Sequence, residues 1–359
     1  MYLLVFDKRI YLLFCFHVPR RNNDRIDADL RAWDFFEGQA VIVGGLEITK
    51  EKYGEATEVT ADMPIEQGGV YFVSTNNVRL TYNLGTTGVD NLIIVPTTKD
   101  VTTINLVVSK QIYLKGMFAC QNVTLLNQVP NATSFHYPLR IIAEQNINIV
   151  LDGCKVNGLV PTKGFAMKSS EVSAVSVDNF IIHNSDINLA QSGAALYLLT
   201  QMSCKNISLD NNLIYASSLD GNVTEFKIFN GNGLTVETLN LTSNTLIDIE
   251  SSGASLYGLV RAAKVLKATV KDNLYWLSDA AKAAYFFTGA STLVESLDSS
   301  DNFGYSVSDK PLRMFQNTAI DPDVKLVEGL FNTTDPATFN KSTGTFIPKE
   351  GYTQYGAQR

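Results

Sequence analysis

Histidine, cysteine and tryptophan are scarce: three, four and two residues in a chain of 359. The cysteines (Cys15, Cys120, Cys154, Cys204) form no CxxC pair, which excludes a thiolate zinc site and a disulfide-stapled miniature fold. His17, His136 and His183 are far apart and share no ligand-like spacing. Proline is absent from Thr162 to Lys310, as expected where every strand donates its N–H groups to a ladder. Basic charge is also short. A net charge of −7 and a pI near 5.1 give no electrostatic footprint for nucleic acid or an anionic membrane. The apolar run Ile10 to Val18 has the length of a signal-peptide core and is too short to span a bilayer. Residues 1–32 are therefore expected to be a leader or an unassigned segment.

What the chain has is a repeat. Ile207-Ser208-Leu209-Asp210-Asn211-Asn212-Leu213 returns as Leu239-Asn240-Leu241-Thr242-Ser243-Asn244-Thr245 and as Ala268-Thr269-Val270-Lys271-Asp272-Asn273-Leu274. A weaker copy is Leu297-Asp298-Ser299-Ser300-Asp301-Asn302-Phe303. Asn212, Asn244, Asn273 and Asn302 are 32, 29 and 29 residues apart. Each follows an alternating apolar strand, so the chain coils on itself about every 30 residues. With 45% hydrophobic and 18% charged residues, the coils have material for a continuous core. Turns fall at 153, 184, 211, 243, 272 and 301. The asparagine column is expected to supply left-handed bend residues and to bond amide to amide between coils. In this register Cys120 and Cys204 lie three coils apart, about 14 Å at the spacing of stacked strands. A disulfide spans only about 7 Å between Cα atoms, so buried free thiols are expected.

A second element recurs within the coils. Tyr197, Phe226, Tyr257 and Tyr285 occupy similar positions in Ala194–Thr200, Thr224–Phe229, Ala254–Val260 and Lys282–Thr288. Each coil therefore carries at least two strands; a helix over 279–288, with its alanines, is the competing reading. Stacked outward, the aromatic residues form a platform for sugar rings, and stacked inward they are core. Pleat parity leaves both open, because both alternating sets are apolar.

The asparagine column, the strand-turn-strand coils and the alternating segment Val108 to Gly116 resemble pectate-lyase-like right-handed parallel β-helices. More narrowly, the chain resembles an uncharacterised group of secreted bacterial β-helix proteins associated with polysaccharide use. That likeness rests on Trp33-Asp34-Phe35, the Asn-rich coils, and a tail with Asp321-Pro322, Phe346-Ile347-Pro348 and Gly356-Ala357. It implies an all-β right-handed parallel β-helix (a solenoid) with an irregular N-terminal cap and C-terminal tail. The expected division is 33–107 for the cap and irregular first coils, 108–310 for the helix, and 311–359 for a tail anchored by Leu326, Phe331, Phe339 and Phe346. It also implies a monomer at the surface of, or secreted by, a bacterium, with a polysaccharide or oligosaccharide as partner.

Enzymes of this fold cut polysaccharides by lyase or hydrolase chemistry. The hydrolase set of pectin-cleaving relatives needs an Asp-Asp pair, Gly-His-Gly and Arg-Ile-Lys, and none occurs here; only Asn184-Ser185-Asp186 echoes its Asn-Thr-Asp. A lyase needs carboxylates, in such enzymes around Ca²⁺, and a Lys or Arg base. The candidates are Lys227 and Arg261 as bases and Asp186 and Glu225 as acids, with Lys168, Glu171, Asp178 and Asp210 behind them. Lys227 and Arg261 would face one groove if their segments stack in parallel. Calcium enters only with the lyase reading; no other cofactor or metal is implied. Tyr197 and Tyr257 are the carbohydrate-binding candidates. The ordering of functions is a glycan-binding or accessory protein, then a lyase with a divergent site, then a surface solenoid without a ligand.

Overall fold

The computed structural model describes residues 2–6, 9–13, 33, 36, 40–128, 138–157, 164–188, 194–198, 202–215, 224–230, 233–247, 249–250, 259–277, 284–287, 293–307, 312–315, 324–331 and 347–358. The chain is all-β, a parallel β-solenoid whose coils present three faces. The short face is an eleven-stranded parallel sheet running from Met63–Ile65 to Val324–Leu326. The long face stacks Ile147–Asp152, Val175–His183, Met202–Asp210, Thr235–Thr242, Lys264–Lys271 and Leu293–Ser300 in parallel. A third face includes Leu139–Ile141, Gly164–Lys168, Ala194–Leu198, Thr224–Asn230 and Ala284–Phe287. Strand Ile112–Gln121 rounds a corner, pairing with the third face through Ile112–Leu114 and with the long face from Met117 on. The residues 279–288 that read as helix or strand hold the strand Ala284–Phe287; 278–283 lie outside the described residues.

Alternation of apolar residues sets the register. On the long face Leu92, Phe118, Ile149, Phe180, Ile207, Leu239 and Ala268 pair coil to coil in one interior column. All seven are at most 3% exposed. Slipping one strand by one residue would turn its apolar set to solvent, so the column enforces the stacking.

The stacked coils start early: Ala56–Val59 already pairs with Val70–Val73, inside the stretch read as cap and first coils. Val108 to Gly116 is not one strand. Ile104–Val108 ends on the short face, and the next strand begins at Ile112 after a turn at Ser109-Lys110.

The corner between the long and short faces divides the two tasks expected of the asparagine column between neighbouring residues. The left-handed residues include Asn77, Asn122, Gly153, Asn184, Asn211, Ser243, Asp272 and Asp301, with φ between 52° and 63°. The last six are the turn positions read from the sequence. Asn212, Asn244, Asn273 and Asn302, one residue later, do not have left-handed angles; they point inward, at most 2% exposed. In Asn244, Asn273 and Asn302 the Oδ1 accepts from both the backbone N–H and the Nδ2 of the asparagine one coil earlier, as Asn244 does for Asn212 at 3.1 and 3.0 Å. The Nδ2 also donates to a carbonyl, Leu209 O at 2.9 Å for Asn244. Ser185 and Cys154 extend the column toward the N-terminus.

Both ends of the chain cover outer apolar patches. The outward column Val70, Ile93, Ala119, Val150, Ile181 continues as Ser208, Asn240, Thr269, Asp298. Its apolar half lies under the hairpin Val41–Val43/Leu46–Ile48 together with Trp33, Phe36 and Tyr53. On the outside of the short face, Leu213, Ile247, Leu274, Trp276 and Phe303 lie under Leu330, Phe331, Tyr352 and Tyr355. Phe331 is an anchor, at 1% exposure, but Leu326 is 60% exposed and is not; Phe339 and Phe346 lie outside the described residues.

Candidate functional site

The residues named from the sequence are distributed over different faces. Asp186 sits on the short face, paired with Lys155 and Leu213. Glu225 and Lys227 belong to the third-face strand Thr224–Asn230, where Glu225 pairs with Glu250 and Lys227 with Ala195. Arg261 pairs with Asn230, an odd offset of three residues from Lys227, so the two bases do not share a column. The alignment that made Tyr197 equivalent to Phe226 is likewise corrected by three residues: Tyr197 pairs with Phe229, and Phe226 with Ala194. The pairing chain Ile112, Leu139, Ala166, Tyr197, Phe229, Val260, Phe287 places Tyr197 in a column whose members Ile112, Leu139, Ala166, Val260 and Phe287 are at most 1% exposed. Repeat alignment by composition failed here because Ala-, Tyr- and Phe-rich strands look alike at several registers. Tyr257 lies outside the described residues. Lys168 is engaged in its own turn, donating to Ser169 O and Val172 O.

Cys120, Cys154 and Cys204 are free and buried. Cys120 and Cys204 are not equivalent positions: Cys120 leads by register to Leu151, Ile182 and Leu209, whereas Cys204 pairs with Val177. Burial raises all three thiols, Cys154 to about 12, so none has the thiolate character of a nucleophile.

The described surface offers a different place for chemistry. The four-residue helix Lys50–Tyr53, capped by Thr49, stands beside the corner where the third face turns into the long face. Lys52, Tyr53, Asp90, Asn91, Lys115, Gly116, Asn146, Asn148 and Asp178 line a cleft between them, and a second hollow adjoins it across Lys52, Tyr53 and Asn148. Tyr53 packs against the hairpin core and Lys52 Nζ lies 5.1 Å from its ring centroid. Gly116 permits the tight stacking here, because a Cβ would come within 2.5 Å of Asp90 O.

From this cleft a second amide ladder runs along the outside. Asn179 Nδ2 donates to Asn148 Oδ1 at 2.8 Å, and Asn206 Nδ2 donates to Asn179 Oδ1 at 3.2 Å. By register the column reads Asn91, Met117, Asn148, Asn179, Asn206, Thr238, Lys267, Ser296. Charges beside it are paired: Lys115 with Asp90 at 3.8 Å and Lys205 with Asp178 at 2.7 Å. The hydrogen bond and charge of Asp178 raise the Lys205 ammonium, so Lys205 stays protonated across the neutral range. Asp178 was a named acid; its site was not readable, because nothing in the sequence places Lys50–Tyr53 against it.

A third constellation lies on the same face. His183 Nε2 is 2.9 Å from Ser208 Oγ, with Asp152 and Asp210 next to His183 in its column. Asp152 accepts from Asn184 Nδ2 and Gly44 N–H, and Asp210 accepts from Thr242 Oγ1. These carboxylates serve the coil corners. Among the described residues, no group of three or more His, Cys, Asp or Glu is arranged to hold a metal ion, and no helix is long and apolar enough to cross a membrane.

Fold and site together define a parallel β-solenoid with a polar, amide-lined cleft on its outer long face. No protein-family model, curated protein or solved structure matches the chain.

Proposed function

We propose that this chain is an extracytoplasmic glycan-associated solenoid that binds polysaccharide or assists its breakdown, in the manner of pectate-lyase-like β-helix proteins and their secreted bacterial relatives. The observation that carries this reading is the cleft of Tyr53, Asn91, Asn146 and Asn148 on a rigid stack of coils. It joins an aromatic side chain to convergent amides and paired charges, the mixture that recognises hydroxyl-rich ligands.

The test is a glycan-binding screen followed by mass spectrometry of any products, with and without Ca²⁺. Binding without fragments supports a binding or accessory role. Fragments with a new double bond would make the protein a lyase. Absence of binding to every neutral and acidic polymer tested would refute the glycan reading and leave a structural solenoid.

A further inference from the structure

We infer that the outer asparagine ladder is a binding track for a linear, uncharged polysaccharide lying along the solenoid axis, entering at the Tyr53 cleft and following Asn148, Asn179 and Asn206 toward Thr238. This rests on the glycan reading and specifies its site, its orientation and its ligand class.

The first argument is the valence of the amides. A primary amide has two N–H donors and an oxygen with two lone pairs. In the ladder, Asn179 spends one donor on Asn148 and one acceptor site on Asn206. That fixes the orientation of the group and leaves it one donor and one acceptor to offer outward. A sugar hydroxyl both donates and accepts, so an oriented amide is its natural complement. Because the amides are held by each other, little side-chain entropy is lost when ligand arrives.

The second argument is periodicity. Rungs repeat at the interstrand distance of about 4.8 Å. A chain-like ligand parallel to the axis meets the same chemistry at each coil, whereas a compact ligand would use one rung. The column continues in register through Thr238, whose hydroxyl both donates and accepts.

The third argument is charge. Asp90, Asp178 and Glu237 stand against Lys52, Lys115 and Lys205 around the track, and Lys267 follows Thr238 in the column. Lys115 and Lys205 are already paired with Asp90 and Asp178. An acidic sugar chain would have to break these pairs and lie against the carboxylates they leave. A neutral chain hydrogen-bonds to the pairs as they stand.

The experiment is isothermal titration of the full chain with cello-oligosaccharides and manno-oligosaccharides of two to eight units, against oligogalacturonate as the acidic probe, at low and high salt. Affinity for a neutral series is expected to rise with length and to change less than about twofold with salt. Asn179→Ala and Asn206→Ala should each weaken it about tenfold, the loss of roughly one net hydrogen bond. Asn179→Thr, which copies the residue at 238 in the same column, guards against a folding defect and should weaken binding less. Salt-sensitive binding of oligogalacturonate alone would overturn the neutral-ligand inference while leaving a glycan protein. Binding of a neutral series unaffected by both alanine variants would overturn the track and leave the glycan reading standing. No binding by any probe would remove both.

Discussion

Asn244 shows how much one residue contributes when it repeats. Its side chain accepts from Asn212 N–H and Nδ2 and donates to Leu209 O and Asn273 Oδ1, all in a buried corner. Replacing it with alanine strands donors and acceptors on the coil before it and the coil after it. Asn244→Ala should cost on the order of 3 kcal/mol, several unsatisfied buried groups at about 1 kcal/mol or more each, read by urea denaturation. A loss below about 0.5 kcal/mol would mean water substitutes for the ladder. One position earlier, Asp272 lies stacked near Asp301. Burial, then the Asp301 charge, raises its carboxyl above the usual carboxylate range. A raised folded-state value means its contribution is fully present below the unfolded pKa, about 3.9, and is lost as pH rises through the folded one. Asp272→Asn should therefore stabilise the protein at pH 7 and make no difference near pH 3. Asparagine also suits the φ of 59° held there, as Asn211 does at 56°.

At the scale of elements, the sequence was most informative where a coil must satisfy itself. Interior columns follow from alternating apolar residues, and six of the left-handed corner residues were legible because only Gly, Asn, Asp and Ser occupy them, while Asn77 and Asn122, in the less regular first coils, went unread. What it did not reveal was cover. Val150 and Ile181 face outward and are apolar, and nothing local says that a hairpin a hundred residues earlier lies over them. Gly44 marks that contact: its φ is 55° and a Cβ would come within 2.5 Å of Val150 Cγ1. Gly44→Val should release the hairpin, seen as faster amide exchange across 41–48 and increased binding of a hydrophobic dye, with the coils intact. Unchanged exchange would show that the hairpin is held by Trp33 and Tyr53 alone. The tail works the same way at the other end. Gly356 N–H donates to Asp272 O at 2.7 Å and Ala357 N–H to Thr245 Oγ1 at 2.9 Å. Phe303 packs on Tyr352 and Tyr355 with ring centroids 5.0 and 4.8 Å apart. Tyr352→Ala with Tyr355→Ala should loosen the tail and red-shift the emission of Trp276, which is fully buried beneath it; an unshifted spectrum would mean that Leu330 and Phe331 suffice.

For the whole molecule, the two covers define what is left open. The hairpin Val41–Val43/Leu46–Ile48 and the C-terminal tail remove apolar surface from opposite ends of the stack, and the uncovered part of the long face carries Asn, Ser, Thr and paired charges. The fold was readable because a repeat averages its signal over many coils. The cleft was not, because it joins Lys52 and Tyr53 to Asp90, Asn148 and Asp178, a contact between non-repeating and repeating parts that no periodicity encodes. The bases Lys227 and Arg261 were grouped because their segments lie one coil apart, but Arg261 pairs with Asn230, three residues beyond Lys227.

The most direct test of the central claim is amide hydrogen exchange with and without a saturating neutral oligosaccharide. Slowed exchange confined to 52–53, 115–117, 146–148, 178–179 and 205–206 is the predicted footprint. Protection on strands 194–198, 224–230 and 260–261 instead would place the ligand on the third face and contradict the account.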